Sequence, residues 1–235
     1  MNPSYKRILL KISGEYLAGD NKTGIDFEIV LKLAKILKEI SQAGVQVAVV
    51  VGGGNFWRGR SSGHMNRVKA DHMGMMATVI NSLALSDCLD QVGCEASLLT
   101  SVHFPQVGEL YSPEKAISYL EKGKVVIFGY GTGNAFFSTD TAASLRACEI
   151  NAEIVLKATG VDGVYSGDPK KDSSAKKYET ITFDEMLSKN LKVIDSTAAS
   201  MHRDNQIPIL IFNITPLDNI ISALNGISVG TLVLP

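Results

Sequence analysis

The apolar positions of the chain fall into short continuous runs, separated by longer segments with helical spacing. These runs predict strands at residues 6–12, 45–51, 96–100, 124–130, 153–158, 207–213 and 229–234. Most of them are near-continuous in valine, isoleucine and leucine rather than alternating, which is typical of strands covered on both faces. The alternation of strands with helices predicts an α/β fold, a three-layer α/β/α sandwich with a mostly parallel central sheet.

The helical segments carry recognisable ends. An amphipathic helix is predicted over residues 26–42, Ser112-Pro113 opens a second helix, and Thr215-Pro216 is predicted to open a third. A Ser or Thr cap, proline at the first helical position and glycine after the last turn are the expected asymmetry.

Composition and charge narrow the class of protein. The 235 residues carry a net charge of −1, and the pI is near 6.4. Because duplex binding needs a broad basic footprint, no nucleic-acid partner is expected. No apolar stretch near the N-terminus is long enough for a signal or a membrane span. Cys88, Cys94 and Cys148 lack metal-type spacing, which favours free thiols in a reducing cytoplasm.

Two glycine turns follow the first two predicted strands. Lys11-Ile12-Ser13-Gly14 ends the first run, and Gly52-Gly53-Gly54-Asn55, with Arg58 close behind, ends the second. Ligands of such sheets collect beyond the carboxyl ends of the strands. A lysine there can stabilise charge on a transferring phosphoryl group, and glycines let backbone amides approach a phosphate. Phosphoryl transfer is the first hypothesis; a surface lysine beside a turn and a flexible loop are the alternatives.

Two later segments are rich in candidate ligand groups. Asp71 opens a helical stretch running to about residue 93; it could cap that helix, which the sequence favours, or present a carboxylate to a ribose. His72 is interpreted as structural, and the methionines at 73, 75 and 76 as core residues. Residues 129–140 combine glycines, hydroxyls, an amide, two aromatics and an acid, which favours a ligand loop over a structural one.

Two segments of the C-terminal third complete the candidate chemistry. Residues 157–165 and Asp168 suit an adenosine pocket, although a β-turn explains Asp162-Gly163 equally well. Asp195 begins another helix as its expected N-cap, and an acid placed to orient Lys11 would have the same appearance.

Together these motifs resemble the amino acid kinase superfamily and, within it, the bacterial UMP kinases. The superfamily markers are Lys-x-Ser-Gly, the triple glycine and Ala-Thr-x-Val-Asp-Gly-Val-Tyr. Asp-His-Met-Gly-Met and Gly-Thr-Gly-Asn-x-Phe-Phe-Ser-Thr-Asp narrow the resemblance to UMP kinases. It runs from Lys11 to the closing Gly230-Thr231-Leu232 and implies one amino acid kinase domain over residues 1–235. Two lobes are possible, an acceptor-binding part over about 1–150 and an ATP-binding part over about 151–235.

The resemblance implies transfer of the γ-phosphoryl of ATP to UMP, giving UDP and ADP in pyrimidine nucleotide biosynthesis, with Mg²⁺ as cofactor. It implies catalytic roles for Lys11, Arg58 and Asp195, the last orienting Lys11. The implied ATP-binding residues are Lys11, Ile12, Ser13, Gly14, Gly54, Arg58, Thr159, Tyr165 and Asp168. The implied UMP-binding residues are Gly53, Asp71, Thr132, Gly133, Asn134, Ala135, Phe136, Phe137, Ser138 and Thr139. For metal-bound phosphates the candidate residue is Asp140.

The resemblance also implies a homohexamer activated by GTP and inhibited by UTP. Ala135 stands where the family usually has proline, so a looser uridine loop is expected, not a different substrate. Two alternatives remain: a kinase for another small acceptor, such as carbamate or an acylamino acid, and a non-catalytic nucleotide- or oxyanion-binding storage or sensor protein. Lys11, the full uridine loop and Asp195 favour the enzyme.

Overall fold

The computed structural model describes residues 3–57, 63, 65–169, 171–172 and 174–235. Over this part of the chain the strands are β1 (Arg7–Ile12), β2 (Gln46–Val51), β3 (Ala96–Thr100), β4 (Glu109–Leu110), β5 (Val125–Gly129), β6 (Ile154–Thr159), β7 (Thr180–Thr182), β8 (Ile209–Asn213) and β9 (Gly230–Leu234). The helices are α1 (Gly14–Leu17), α2 (Phe27–Gln42), α3 (Arg67–Gln91), α4 (Pro113–Glu121), α5 (Thr139–Glu149), α6 (Phe183–Ser188), α7 (Ser196–Asp204) and α8 (Asn219–Leu224). A 3₁₀ turn spans Gly19–Asn21.

All nine strands belong to one sheet, in the order β4-β3-β5-β2-β1-β6-β8-β9-β7. From β4 across to β8 every neighbouring pair is parallel. The β9 strand pairs antiparallel with β8, and β7 lies parallel to β9 at the edge. The predicted, mostly parallel sheet is therefore confirmed. The strands before residue 150 form one half of the sheet and the later strands the other, and the predicted division into two lobes stays a prediction.

Apolar side chains form one core on each face of the sheet. Ile8 and Leu10 of β1 point into a core with α2, α3 and α8, whereas Leu9 points into the opposite core with α4 to α7. Because successive side chains of a strand point to opposite faces, a continuous apolar run supplies both cores at once. The three-layer prediction is confirmed. Among the described residues, no helix has both the length and the apolar character that crossing a bilayer requires.

Two parts of the element prediction were incomplete or wrong. The strands β4 and β7, of two and three residues, are too short to show a hydrophobic pattern. The last helix begins at Asn219 instead of beside Thr215-Pro216. A turn precedes it, in which Asn213 Oδ1 accepts from Thr215 N (2.9 Å) and Asn219 Nδ2 donates to Asn213 O (2.8 Å).

The long helix α3 begins earlier than predicted. Its N-cap is Asn66, whose side chain accepts from Val68 N and Lys69 N, so the prediction of Asp71 as a cap was wrong. Asp71 lies in the second turn, where it is free to contact other elements. The expectation that three methionines fill the core holds for Met75, whereas Met73 and Met76 are exposed.

Candidate active site

The first two strands deliver their glycine turns to one place. The β1 and β2 strands are paired in register through Ile12 and Val51, and Gly52 N donates to Ile12 O at 2.9 Å. A Cβ built on Gly14 would lie 2.1 Å from Gly52 O. The two turns therefore touch through their backbones, and a side chain at Gly14 would force them apart.

A pair of buried amides holds the second glycine turn. Asn81 Nδ2 donates to Gly52 O and to Asn55 Oδ1, both at 2.7 Å, and Asn55 Nδ2 donates back to Asn81 Oδ1 at 2.9 Å. Asn55 Nδ2 also donates to Gly24 O at 2.7 Å. Since both side chains are almost fully buried, these bonds satisfy amide groups that would otherwise be costly to bury. They tie the turn to helix α3.

A first cavity of about 480 Å³ opens between the two turns, α3 and the start of α5. Of the predicted site residues its lining contains Lys11, Ser13, Gly14, Gly53, Gly54, Asp71, Phe137, Ser138 and Thr139. The remaining lining residues are Glu15, Gly52, Trp57, Gly74, Met75, Thr78 and Gly131. The structure therefore gathers residues predicted for both nucleotides around one opening.

A second cavity, of about 500 Å³, lies on the other side of the α5 N-terminus. It is lined by Ser138, Asp140 and residues of the segment from Met186 to Ser196, including Asp195. Ser138 lines both cavities, and its side chain caps α5 by accepting from Asp140 N at 3.0 Å. The two cavities are therefore neighbours that share the amino end of one helix.

Lys11 is held by a buried carboxylate. Its ammonium lies 2.8 Å from Asp140 Oδ1, and Asp140 Oδ2 accepts from Lys157 Nζ at 2.6 Å. Burial acts to raise the pKa of Asp140, but the two lysines outweigh it and hold the pKa below its ordinary value. Burial is also the main reason that the pKa of Lys157 is lowered, against the opposing effect of Asp140. We call Lys11, Asp140 and Lys157 the buried triad.

The predicted partner of Lys11 needs correction. Asp195 does cap α7, accepting from Ala198 N at 2.9 Å, as its sequence context predicts. Its other partners are the hydroxyls of Ser138 and Thr141, which donate to it. Among the described residues no hydrogen bond or ion pair joins Asp195 to Lys11, and the carboxylate paired with that lysine is Asp140. Asp195 instead ties the start of α7 to the start of α5.

The amino-acid sequence matches a known family over most of its length. Residues 6–213 match the family model described as the amino acid kinase family. The chain belongs to the amino acid kinase family.

Solved structures of UMP kinases and of a uridylate kinase are similar to the chain. The UMP kinase from Ureaplasma parvum is 39% identical, with a TM-score of 0.93, over 98% of this chain and 99% of that one. The UMP kinase from Bacillus anthracis is 36% identical, with the same TM-score of 0.93, over 98% of this chain and 96% of that one. The uridylate kinase from Archaeoglobus fulgidus is 28% identical, with a TM-score of 0.72, over 96% of this chain and 99% of that one.

In this amino acid kinase family member, Asp71 joins helix α3 to the predicted uridine loop. Its Oδ2 atom accepts from Phe136 N and from Arg67 Nε, both at 2.8 Å. The Arg67 guanidinium lies 5.4 Å from the centroid of the Phe136 ring, which is 64% exposed. Asp71 therefore fixes the loop where it passes the first cavity.

Several predicted residues lie away from the cavities. Thr132, Gly133, Asn134 and Ala135 form a turn closed by the Thr132 hydroxyl and Asn134 N, and neither cavity is lined by them. Ile12 is buried within β1. Among predicted ATP residues, neither cavity is lined by Thr159, Tyr165 or Asp168. Arg58 lies outside the described residues.

Two residues at the centre of the site were missed or misplaced by sequence reasoning. Lys157 was assigned with its segment to an adenosine pocket, whereas it is buried in the triad. Asn81 was not singled out, because a polar residue inside a helix carries no signal of its partners. The sequence did carry one signal for Lys157, which is a charged residue inside an otherwise apolar strand. In the structure it is paired in register with Lys11.

The carboxylates of the site do not form a ready metal cage. Among the described residues, no group of three or more histidines, cysteines or acids is placed to hold an ion. Asp140, the metal candidate, has its oxygens against two lysines, an arrangement that does not fit a metal ligand. Mg²⁺ commonly keeps waters and binds through one or two carboxylates plus substrate phosphates, so phosphates would supply most of its ligands here.

Proposed function

We propose that the protein is a UMP kinase that transfers the γ-phosphoryl of ATP to UMP, giving UDP and ADP, in pyrimidine nucleotide biosynthesis. The observation that carries this proposal is the pair of cavities meeting at Ser138, with Lys11 lining the first. Two cavities on either side of one helix N-terminus can bring two polyanions together end to end. The similar structures of the UMP kinases from Bacillus anthracis and Ureaplasma parvum support the same reaction.

The first cavity would hold UMP and the second the donor side of ATP. Lys11, the glycine amides and the α5 N-terminus would offset the repulsion between the two phosphates. Little covalent chemistry is required of the protein, because the attacking phosphate oxygen is already ionised and needs no general base. Positioning and electrostatic stabilisation therefore supply the catalysis. Bound with ATP, Mg²⁺ would add positive charge at the donor phosphates.

Some of the residues predicted from the resemblance have a place in this proposal. Asp71 would hold the ribose of UMP, since it lines the first cavity with one oxygen already bound to the loop. Gly53 and the residues from Phe137 to Thr139, which line the first cavity, would contact the phosphate and the uridine of UMP. For Arg58 we keep the catalytic and ATP-binding roles that the resemblance implies.

The acceptor is tested by measuring ADP release from ATP with UMP, CMP, carbamate or acetylglutamate in turn. The proposal predicts that UMP gives the highest kcat/KM by a wide margin and that UDP accumulates in equal amount to ADP. Faster turnover with another acceptor would show a different kinase. Binding of ATP and UMP without turnover would show a storage or sensor protein.

The proposal includes a homo-oligomer, supported by the exposed face of α3. One set of its exposed positions is spaced by three and four residues, as on one side of a helix. They run from Lys69 through Met73, Met76, Ile80 and Leu83 to Asp87. We call these six residues the α3 stripe. Contiguous exposed apolar side chains of this kind mark interaction surfaces.

The stripe is complementary to a second copy of itself. In an antiparallel pair about a two-fold axis at the level of residue 78, Lys69 faces Asp87 of the second copy. Met73 then faces Leu83, and Met76 faces Ile80. A two-fold interface uses the same patch on both subunits, so self-complementary charge and apolar contacts suit it. Such a pair would be one contact of the homohexamer that the resemblance implies.

Sedimentation velocity tests the interface. Ile80→Glu is expected to dissociate the wild-type oligomer, whereas Ile227→Glu, a matched change at an exposed apolar residue outside the stripe, is expected to leave it intact. Lys69→Asp should weaken association and Lys69→Asp combined with Asp87→Lys should restore it. Equal behaviour of the two glutamate variants would reject the stripe as the interface.

We also propose activation by GTP, inhibition by UTP and a cytoplasmic location, as the resemblance implies. The three cysteines are free thiols, which suits a reducing compartment. Initial rates of UDP formation with and without each nucleotide test the regulation. Rates of UDP formation that do not change with the concentration of GTP or UTP would refute the proposed regulation.

A further inference from the structure

Lys157 is a buried lysine that the proposed reaction does not yet use. It lies on β6 directly beside Lys11 of β1, and the two side chains share one face of the sheet. Lys157 is 7% exposed and Lys11 is 9% exposed. Lysines are rarely buried unless they are paired, so the partners of Lys157 indicate what it does.

The two lysines differ in how firmly they are held. Lys157 Nζ donates to Asp140 Oδ2 and to Val193 O, both at 2.6 Å. Lys11 Nζ has an ion pair with Asp140 Oδ1, and that oxygen has no hydrogen bond within the described part of the chain. Lys157 is therefore committed to two acceptors, whereas Lys11 can turn its N–H groups toward a phosphate.

The contact with Val193 connects the triad to the second cavity. Val193 belongs to the segment from Leu191 to Asp195, which lines that cavity. Lys157 therefore joins the wall of the proposed donor site to the carboxylate that faces Lys11.

The charges of the buried triad give Lys157 a second role. Two ammonium groups face one carboxylate, so the triad carries a net charge of one positive unit. Without Lys157, Asp140 would face Lys11 alone and cancel its charge. Inside a protein such a pair is poorly screened, so the cancellation would matter for an incoming phosphate.

We propose that Lys157 is a positioning residue: it holds Asp140 and Val193, so that the charge of Lys11 stays available to the transferred phosphoryl. The inference rests on the proposed kinase reaction. It assigns Lys157 no contact with either substrate, and its effect on turnover runs through Asp140.

A double-mutant cycle on kcat tests this assignment. Lys157→Met makes the triad neutral and is expected to lower kcat on the order of 100-fold, the size of losing one electrostatic stabiliser. Lys157→Met combined with Asp140→Asn returns the triad to one positive charge. We expect this double variant to regain about tenfold or more of the lost kcat, a coupling far outside additivity. If the double variant is as slow as Lys157→Met, the proposal is overturned.

The KM values separate positioning from general loss of structure. The KM for ATP is expected to rise in both Lys157 variants, because Val193 loses its anchor, while the KM for UMP stays within about threefold, the range of ordinary surface effects. Recovery of kcat without recovery of the KM for ATP is a result that a merely structural role would not give. An equal rise of both KM values would overturn the link to the donor cavity.

Folding is controlled within the same set. Lys157→Met leaves Lys11 and Asp140 as a neutral pair, so it is expected to fold. The double variant leaves Lys11 without a carboxylate, and an uncompensated buried charge is strongly destabilising, so its turnover is measured at a temperature at which urea unfolding shows it to be folded. There it is compared with Lys11→Ala. Turnover well above that of Lys11→Ala supports the proposal, and turnover equal to it refutes it. Failure of the wild type to form UDP would instead refute the proposed function itself.

Discussion

The contact between the two glycine turns leads to a prediction that can be worked from distances. In Gly14→Ala, the new Cβ would lie 2.1 Å from Gly52 O and 2.7 Å from Asn55 Oδ1. Ordinary contact begins at 3.4 Å, so the turns must separate by more than 1 Å. Gly52 cannot yield easily, because the amide of Asn81 holds its carbonyl.

The expected cost has two parts. Overpacking of a tight contact costs about 1–3 kcal/mol of unfolding free energy. A displacement near 1 Å between reacting groups can cost on the order of 100-fold in rate. Gly14→Ala is therefore expected to lower kcat about that much while the protein still folds, since its loss of stability is a modest part of a typical total.

Gly160 provides a matched control, and Gly54 provides a comparison within the same cavity. A Cβ on Gly160 would meet no atom within 4 Å, so Gly160→Ala is expected to keep wild-type activity. A Cβ on Gly54, which lines the same cavity, would meet the side chain of Glu15 at 3.3 Å, a contact that a small side-chain movement relieves. UDP formation and urea unfolding would be measured for all three. Turnover of Gly14→Ala within a few-fold of Gly160→Ala would refute the argument.

Three further predictions concern single side chains. Burial lowers the pKa of His202 from 6.5 to about 4. The unfolded chain therefore binds more protons between these values, and the free energy of unfolding should fall by about 3 kcal/mol as the pH drops from 7 to 4. In His202→Gln the free energy of unfolding should fall less over this pH range. An unchanged pH dependence would contradict the claim that His202 is its source. Asp71→Asn weakens the hydrogen bond from Phe136 N. Because a charged hydrogen bond is lost, the KM for UMP should rise about tenfold in steady-state assays, with little change in kcat. A fall in kcat alone would argue against a role of Asp71 in binding UMP. Asn81→Ala leaves Asn55 without its amide partner and should cost about 1–3 kcal/mol in urea unfolding, and a neutral result would show that the amide pair is dispensable.

The sequence was sufficient for the layers and for the edge of the sheet at which the glycine turns lie. Continuous apolar runs indicated strands buried on both faces, and parallel strands bring their carboxyl ends to one edge, which placed both turns there. The contact between Gly14 and Gly52 depends on the pairing of β1 with β2, which the sequence does not specify. The reversed direction of β9 could not be predicted, since an apolar run has the same pattern in either direction.

The contacts within the site were less accessible from the sequence. Asp140 and Lys11 are far apart in the chain, and Asp195 offered an equally reasonable carboxylate for Lys11. The choice between them depends on where α5 and α7 begin relative to β1, which is a matter of three-dimensional packing. The start of α3 was misplaced because Asp71 resembles a cap, while Asn66 satisfies that helix end.

The central claim is that Lys11 promotes transfer of a phosphoryl group from ATP to UMP. The most direct test follows the label from ATP carrying a radioactive γ-phosphate, with UMP as acceptor, in the wild type and in Lys11→Ala. The account predicts label in the β-phosphate of UDP for the wild type. For Lys11→Ala it predicts a loss on the order of 100-fold or more in rate, with UMP affinity nearly unchanged. Label released as inorganic phosphate by the wild type, or turnover of Lys11→Ala within a few-fold of the parent, would contradict it.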